Sequence, residues 1–97
     1  MAPSDQEIKE ERVRRAIARI AEGPRSVRLS DIQWVMSRLP ELGHVVKESR
    51  TAHGFTYSVD SLEPFRLCDH HPGQSQLKVG YVMDFLDAMV DLGLYGG

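Results

Sequence analysis

His53 is the residue of this chain whose type and position best suit proton transfer. It lies between Arg50 and Phe55, where one strand-like run is followed by the next. An imidazole has an unperturbed pKa near neutrality, so it can accept and donate protons under physiological conditions. A histidine at a hairpin can equally fill the turn or form a local hydrogen bond, and the spacing alone allows both roles.

Strand geometry leaves the direction of this histidine open. In an unbroken strand His53 shares a side with Phe55, Tyr57 and Val59, so it would point toward the core. A turn or a bulge at Gly54 would turn it away from that side. The pattern therefore predicts a hairpin but not the orientation of its histidine.

A second group of reactive side chains follows at Cys68, Asp69, His70 and His71. All four residue types can coordinate zinc. Adjacent strand residues face opposite sides, however, so few of these four could converge on one ion without a sharp bend and a ligand from elsewhere. We therefore predict neither a metal site nor a cofactor. His70 and His71 remain candidates for an accessory proton-transfer or phosphate-contacting role.

Helical periodicity places three arginines on one face of the first predicted helix, residues 5–22. Arg12, Arg15 and Arg19 follow an i, i+3, i+7 spacing. The predicted apolar stripe of the helix lies on another face and consists of Val13, Ile17, Ile20 and Ala21. Such a row is either a solvated face with local ion pairs, such as Glu11 with Arg15, or a contact for RNA or a protein partner.

The second predicted helix begins with a capping signal and ends at Pro40. Ser30 and Gln33 have the spacing of a capping box, and Leu29 and Trp34 have that of a hydrophobic staple. These positions predict that Ser30 caps the helix. The amphipathic pattern predicts that Trp34 packs in the core.

Three strands and a last helix complete the chain. The predicted strands cover residues 44–50, 55–59 and 65–68. The last helix opens near Lys78 and stops at Gly93. Its predicted buried stripe consists of Val79, Val82, Met83, Leu86, Met89 and Val90. Its opposite side carries the row Asp84, Asp87 and Asp91.

The order α-α-β-β-β-α predicts a single α+β domain over residues 1–97. A three-stranded antiparallel sheet would cover its apolar face with the helices. The α-β-β-β-α portion has the order of a double-stranded-RNA-binding-domain fold, which leaves the first helix as an N-terminal addition. Other α+β folds share this order, so it does not establish a function.

Charge and composition narrow the class of protein further. The net charge of −2 argues mildly against a free nucleic-acid binder. Residues 1–50 carry ten Lys/Arg and eight Asp/Glu, and residues 51–97 carry two and six, so the halves have net charges of +2 and −4. A single cysteine, a polar N-terminus and the lack of an apolar run of roughly 20 residues predict a cytoplasmic protein without membrane contact.

Residues 29–94 resemble the HicA (YcfA-like) toxin family of type II toxin–antitoxin modules. The resemblance depends on the hairpin histidine, on a helix that opens with Leu77, Gly80 and Tyr81, and on the ending Gly93-Leu94. Members of this family have the double-stranded-RNA-binding fold and act as mRNA interferases. In the family pattern, glycine is common at the position of Thr51, and a second histidine or an aromatic residue is often found at that of Gly54.

The resemblance implies a metal-independent endoribonuclease that cleaves mRNA and is neutralised by a cognate HicB-like antitoxin. In that case His53 is the catalytic residue, and Arg50 and Lys47 contact the RNA. The arginines of the first helix would add to the RNA contacts. The alternatives are a non-catalytic RNA-binding domain and a protein-interaction module, whose partner could be another protein or a second copy of the chain.

Overall fold

The computed structural model describes residues 2, 4–52, 54–68 and 77–96. Within them the helices are α1 (Asp5–Glu22), α2 (Leu29–Arg38) and α3 (Val79–Asp91). The strands are β1 (Val46–Thr51), β2 (Gly54–Val59) and β3 (Phe65–Cys68). Two 3-10 helices cover Pro24–Ser26 and Leu39–Leu42. The predicted α+β class is confirmed.

The three strands form an antiparallel meander in the order β1-β2-β3. β1 pairs with β2 from Val46 opposite Val59 to Thr51 opposite Gly54. β3 pairs antiparallel with the other side of β2. β2 is therefore the central strand, and β1 and β3 form the two edges of the sheet.

The two faces of the sheet differ in polarity. The apolar face packs against the helices and contributes Tyr57, Val59, Phe65 and Leu67 to the core. The opposite face carries the residues that alternate with them in β2 and β3, together with their partners in β1. On that face lie Lys47, Ser49, Thr56, Ser58 and Arg66.

Helix α1 shares one hydrophobic core with the rest of the protein. Val13, Ile17 and Ile20 are 1%, 0% and 5% exposed, and they belong to the same cluster as the buried residues of α2, α3 and the sheet. Burying a side chain of this size contributes roughly 1.5–3 kcal/mol. The stripe predicted for α1 is confirmed.

The start of α2 differs from the prediction by two residues. The cap is Arg28, whose backbone N–H donates to Asp31 Oδ2 at 3.0 Å, so the prediction of Ser30 as cap is wrong. The same shift places Val27 and Ile32, both buried, at the positions of the hydrophobic staple. A carboxylate that accepts from the helix N-terminus is favoured there, because the helix dipole attracts negative charge.

This shift also explains why Trp34 is not in the core. Its side chain is 39% exposed, and the guanidinium of Arg38 lies 5.3 Å from the centre of its ring. The fully buried positions of α2 belong to Ile32 and Val35 instead. The prediction that Trp34 packs in the core is therefore wrong.

The buried face of α3 is rotated relative to the predicted stripe. Its buried residues are Val82, Phe85, Leu86, Ala88 and Met89. Val79, Met83 and Val90, which the periodicity assigns to the core, are 39%, 46% and 49% exposed. The rotation follows from the largest apolar side chain of the helix. The Phe85 ring packs edge-on against Phe65, with 6.1 Å between the ring centres.

Candidate functional site

The ends of β1 and β2 flank the predicted catalytic histidine in the sequence. The strands pair as far as Thr51 and Gly54, and Thr51 Oγ1 donates a hydrogen bond to Gly54 O at 3.2 Å. The hairpin is therefore present up to its strand ends. His53 itself lies outside the described residues, so its orientation stays a prediction.

Arg50 lies one residue before the end of β1. Its guanidinium lies 5.8 Å from the centre of the Phe55 ring, on the cross-strand partner residue. In the described part of the chain no carboxylate lies within ion-pair distance of Arg50. The aromatic face steadies the cation, and its N–H groups are left for an external anion such as a phosphate oxygen.

Lys47 projects from the opposite face of β1, because it lies three positions from Arg50 along the strand. It shares that face with hydroxyl groups, including those of Thr56 and Ser58 in β2. No carboxylate lies on this face of the described strands. Because β1 is an edge strand, a flexible polyanion that passes over the edge could contact both cations.

Arg66 is a further basic residue on the same face, and it is not among the RNA-binding residues predicted from the sequence. The alternation of Phe65 and Leu67 with Arg66 was the signal that could have found it. Arg66 lies in the edge strand β3, where it also borders a groove that contains Tyr81 and Asp84. The positive charge of Arg66 therefore acts on the polar face of the sheet and on that groove.

Gly54, the first residue of β2, lies opposite Cys68 in the neighbouring strand β3. Its φ angle is +155°, and a Cβ atom there would overlap Leu67 O and lie 2.8 Å from Cys68 Cα. A side chain at this position would require β3 to move. The tight approach fixes the distance between the hairpin end and β3.

Asp60 links the two strands at the other end of the hairpin. Its Oδ1 accepts from Val45 N and its Oδ2 lies against His44 Nδ1, both at 2.8 Å. The backbone hydrogen bond from Val45 and then the contact with His44 hold the pKa of Asp60 below its ordinary value of 3.8. The residue adopts a φ angle of +51°, the left-handed conformation that Asp tolerates better than most residues.

Tyr57 connects the centre of the sheet to β1. Its side chain is buried, and its hydroxyl donates to Glu48 Oε1 at 2.8 Å. Burial and the neighbouring carboxylate raise the pKa of Tyr57 to about 12. The phenol therefore remains a hydrogen-bond donor at neutral pH, and the pair ties Glu48 to the apolar face of the sheet, away from Lys47.

The three arginines of α1 come together along an open groove between α1 and α2. We call this volume of about 770 Å³ the basic groove, and Arg12, Arg15 and Arg19 the arginine row. Asp31 is the one carboxylate among the described residues that line it. Arg15 is paired with Glu11 at 2.7 Å, whereas Arg12 and Arg19 have no ion-pair partner among the described residues.

The floor of the basic groove is apolar. The apolar lining residues are Ala16 and Ile20 from α1, Val27 before α2, and Trp34 from α2. The arginine row therefore forms one charged wall beside an apolar surface on the helices. Lys47 and Arg50 lie on opposite faces of the sheet. The structure thus divides the predicted RNA-binding residues among the basic groove and the two faces of the sheet.

A second groove of about 780 Å³ lies between β3 and α3, and we call it the acidic groove. Its charged lining residues are Glu63, Arg66, Asp84, Asp87 and Asp91. Tyr81 also lines it, and the hydrogen bond with Cys68 followed by partial burial raises the pKa of this tyrosine. The exposed row predicted for the last helix, Asp84, Asp87 and Asp91, is confirmed, and we call it the aspartate row.

The remaining site predictions concern residues 69–76. Asp69, His70 and His71 lie outside the described residues, so an accessory role for His70 or His71 stays a prediction. In the part of the chain that the structure describes, no three His, Cys, Asp or Glu residues are grouped so that they could hold a metal ion.

Fold and surface together define a small α+β protein whose described residues form a basic groove in the first half of the chain and an acidic groove in the second half. Neither a protein-family model, nor a curated protein, nor a solved structure matches this chain. No helix among the described residues is long and apolar enough to cross a membrane.

Proposed function

We propose that this chain is a HicA-like endoribonuclease that cleaves mRNA at the β1–β2 hairpin. The observation that carries the proposal is the position of Arg50. It presents a cation without a described carboxylate partner beside the strand ends that flank His53. A cation at this place suits a phosphate group close to an imidazole that moves a proton.

The order of elements supports the same proposal. The portion α2-β1-β2-β3-α3, with its antiparallel meander, has the order of a double-stranded-RNA-binding-domain fold. Gly54 is where this chain departs from the aromatic residue or histidine common in the HicA pattern. The approach of Leu67 and Cys68 leaves no space for either side chain, so the departure follows from strand packing.

The chemistry that we propose requires no metal, because RNA carries its own nucleophile. His53 accepts the proton of a 2′-hydroxyl group while the oxygen of that hydroxyl attacks the adjacent phosphorus. The bond from phosphorus to the 5′-oxygen breaks, and the 5′-oxygen accepts the proton that the imidazolium now carries. The products are a 2′,3′-cyclic phosphate and a free 5′-hydroxyl. Arg50 offsets the charge that develops on the phosphate oxygens.

The surroundings of the hairpin suit a single RNA strand. Lys47 and the hydroxyl groups of the polar sheet face offer contacts to phosphate and sugar on one side of β1, and Arg50 offers one on the other. A HicB-like antitoxin that covers the hairpin would block access to both cations. The cytoplasm, where mRNA is translated, is the compartment that this function requires.

Replacing His53 by alanine tests the catalytic role directly. We expect purified wild-type protein to cleave single-stranded RNA, and the H53A variant to leave it intact while keeping the wild-type circular dichroism spectrum and thermal midpoint. The wild-type product should end in a 2′,3′-cyclic phosphate, and an RNA with 2′-deoxy sugars should resist cleavage. Arg50→Ala should slow cleavage by roughly 10²–10³-fold, as the loss of one oxyanion donor does elsewhere.

His44→Gln is the matched control, because His44 is paired with Asp60 at the far end of the hairpin. This variant should lose stability but retain cleavage at low temperature. Cleavage by wild type and H53A at equal rates would reject His53 as the catalytic residue. Binding without cleavage by both proteins would identify a non-catalytic RNA-binding protein instead.

A further inference from the structure

The basic groove has the composition of a protein-binding surface. Trp34 and the arginine row line it, and tryptophan and arginine are enriched where proteins bind each other. Trp34 is 39% exposed and lines the same groove as the apolar side chains of Ala16 and Ile20. The groove therefore leaves uncovered an aromatic ring that a partner could bury.

Helix α3 carries the complementary surface. Val79, Met83 and Val90 form an exposed apolar strip, because their spacing of four and seven residues returns to the same side of a helix. The aspartate row lies next to this strip on the side of the acidic groove. An exposed helix face with an apolar strip and an acidic margin is the shape and charge that a basic groove with an apolar floor accommodates.

The charges of the two surfaces also match in spacing. The arginine row occupies positions 12, 15 and 19, and the aspartate row positions 84, 87 and 91, so both follow i, i+3, i+7. Each row spans about 10 Å along its helix at 1.5 Å per residue. When the helices run parallel, each carboxylate faces one guanidinium without any change in register.

We propose that the basic groove of one molecule binds the exposed face of α3 from a second copy of this chain. The apolar strip of α3 covers the groove floor and Trp34, and the aspartate row pairs with the arginine row. Arg12 and Arg19 are the principal contacts, because Arg15 is already paired with Glu11. The contact is between two different surfaces, so it forms either a reciprocal pair or a head-to-tail chain.

Two observations favour a helix of this chain over RNA as the occupant. The groove floor is apolar, and the complementary acidic row is present in the same sequence with the same spacing. RNA binders that use aromatic rings surround them with a positively charged groove that tracks the backbone. In this groove the cations lie along one wall.

Trp34 reports on the proposed contact, because it is the one tryptophan of the chain. We expect its fluorescence emission to move to shorter wavelength as nuclease-treated protein is concentrated, since association removes the ring from water. Sedimentation velocity on the same samples should show mass growing over the same concentration range. High salt should reverse both changes, because the contact depends on exposed charges.

Charge reversal identifies the two surfaces. The groove variant Arg12→Glu/Arg19→Glu and the helix variant Asp84→Lys/Asp91→Lys should each weaken association by roughly tenfold or more, since like charges then face each other. Mixing the two variants should restore association, because each provides the charge that the other requires. Arg14→Glu is the matched control, since Arg14 lies on α1 away from the groove and pairs with Glu10.

Several outcomes would overturn the proposal. One is a wild-type protein that stays monomeric at all concentrations, with unchanged Trp34 emission. Another is association that survives both charge reversals, or that the control variant weakens equally. If the protein is monomeric and single-stranded RNA shifts the Trp34 emission of wild type but not of the groove variant, the occupant is RNA.

Discussion

At the scale of single residues, Asp60 shows how one carboxylate can define a strand pair. It accepts the backbone N–H of Val45, contacts His44 and adopts a left-handed conformation, all at the point where β2 has just ended. These contacts favour the ionised carboxylate, so the folded state lowers its pKa. The residue therefore links the register of the hairpin to pH.

We expect the contribution of Asp60 to stability to be lost in acid. Its pKa is lower in the folded than in the unfolded chain, so the contribution is present above the ordinary value of 3.8 and disappears as the pH falls through the folded value. Urea unfolding of wild type and Asp60→Asn at several pH values measures this. The two curves should differ most at neutral pH, approach each other as the pH falls below about 4, and meet only below the folded-state pKa.

Asp60→Ala separates the carboxylate from the backbone conformation. Asparagine tolerates the left-handed conformation and keeps an acceptor for Val45 N, whereas alanine offers neither, so alanine should be the less stable variant at every pH. A difference between wild type and Asp60→Asn that stayed constant from neutral to acidic pH would contradict the assignment.

At the scale of elements, two glycines that lie at or near the start of a strand or helix differ in whether the structure has space for a side chain. Gly54 starts β2 directly beside the backbone of β3, and Gly80 lies in the first turn of α3 with open space around it. Gly54 cannot carry a side chain, because β3 packs against it. Gly80 lowers the stability of the protein only through the backbone entropy that glycine loses in a helix.

We therefore expect alanine to change stability in opposite directions at these positions. Gly54→Ala should destabilise the protein by about 1–3 kcal/mol, since β3 must move away from the new methyl group. Gly80→Ala should stabilise it by about 0.5–1 kcal/mol. Chemical denaturation of both variants measures the effects. A neutral Gly54→Ala variant would show that β3 can move freely.

Elements whose boundaries depend on local signals could be predicted from the sequence. α1 ends before Gly23-Pro24 as predicted, and Phe65–Cys68 is the third strand in both prediction and structure. The start of α2 could not be predicted, because two competing caps lie two residues apart and the buried partners of Val27 and Ile32 decide between them. Only tertiary packing distinguishes a helix capped by Arg28 from one capped by Ser30.

The candidate site followed the same division. The strand ends around His53 and the row on α3 were predictable from alternation and helical spacing. The apolar floor of the basic groove was not, because Trp34 fits an amphipathic pattern as well as Ile32 does. The rotation of α3 around Phe85 exposed Met83 and Val90, and nothing in their own spacing indicates it.

At the scale of the whole molecule, α1 joins both halves of the chain in one core. Its residues Val13, Ile17 and Ile20 lie in the same cluster as the buried side chains of the sheet and of α3. The basic first half and the acidic second half are thus held on one body with their charges on separate grooves. Loss of α1 packing should therefore be felt throughout the protein.

Ile17→Ala tests whether the protein unfolds as a unit. We expect a loss of about 2–5 kcal/mol, a large part of the 5–15 kcal/mol typical of natural domains. Far-ultraviolet circular dichroism and Trp34 fluorescence should report the same urea midpoint. Ile8→Ala, on the same helix but 36% exposed, should stay within about 0.5 kcal/mol of wild type. Two separate transitions would show that α1 unfolds independently.

The side chains of the edge strand β1 also affect whether two copies of this molecule can pair along the edges of their sheets. A free edge offers unpaired backbone groups to any neighbouring strand, which is the usual start of amyloid-like aggregation. Here the exposed edge carries the charged side chains of Lys47, Glu48 and Arg50 at close intervals. A second copy of β1 placed parallel and in register along it would set Lys47 opposite Lys47 and Arg50 opposite Arg50. The repulsion between these like charges disfavours the in-register stacking of strands on which amyloid-like fibrils are built.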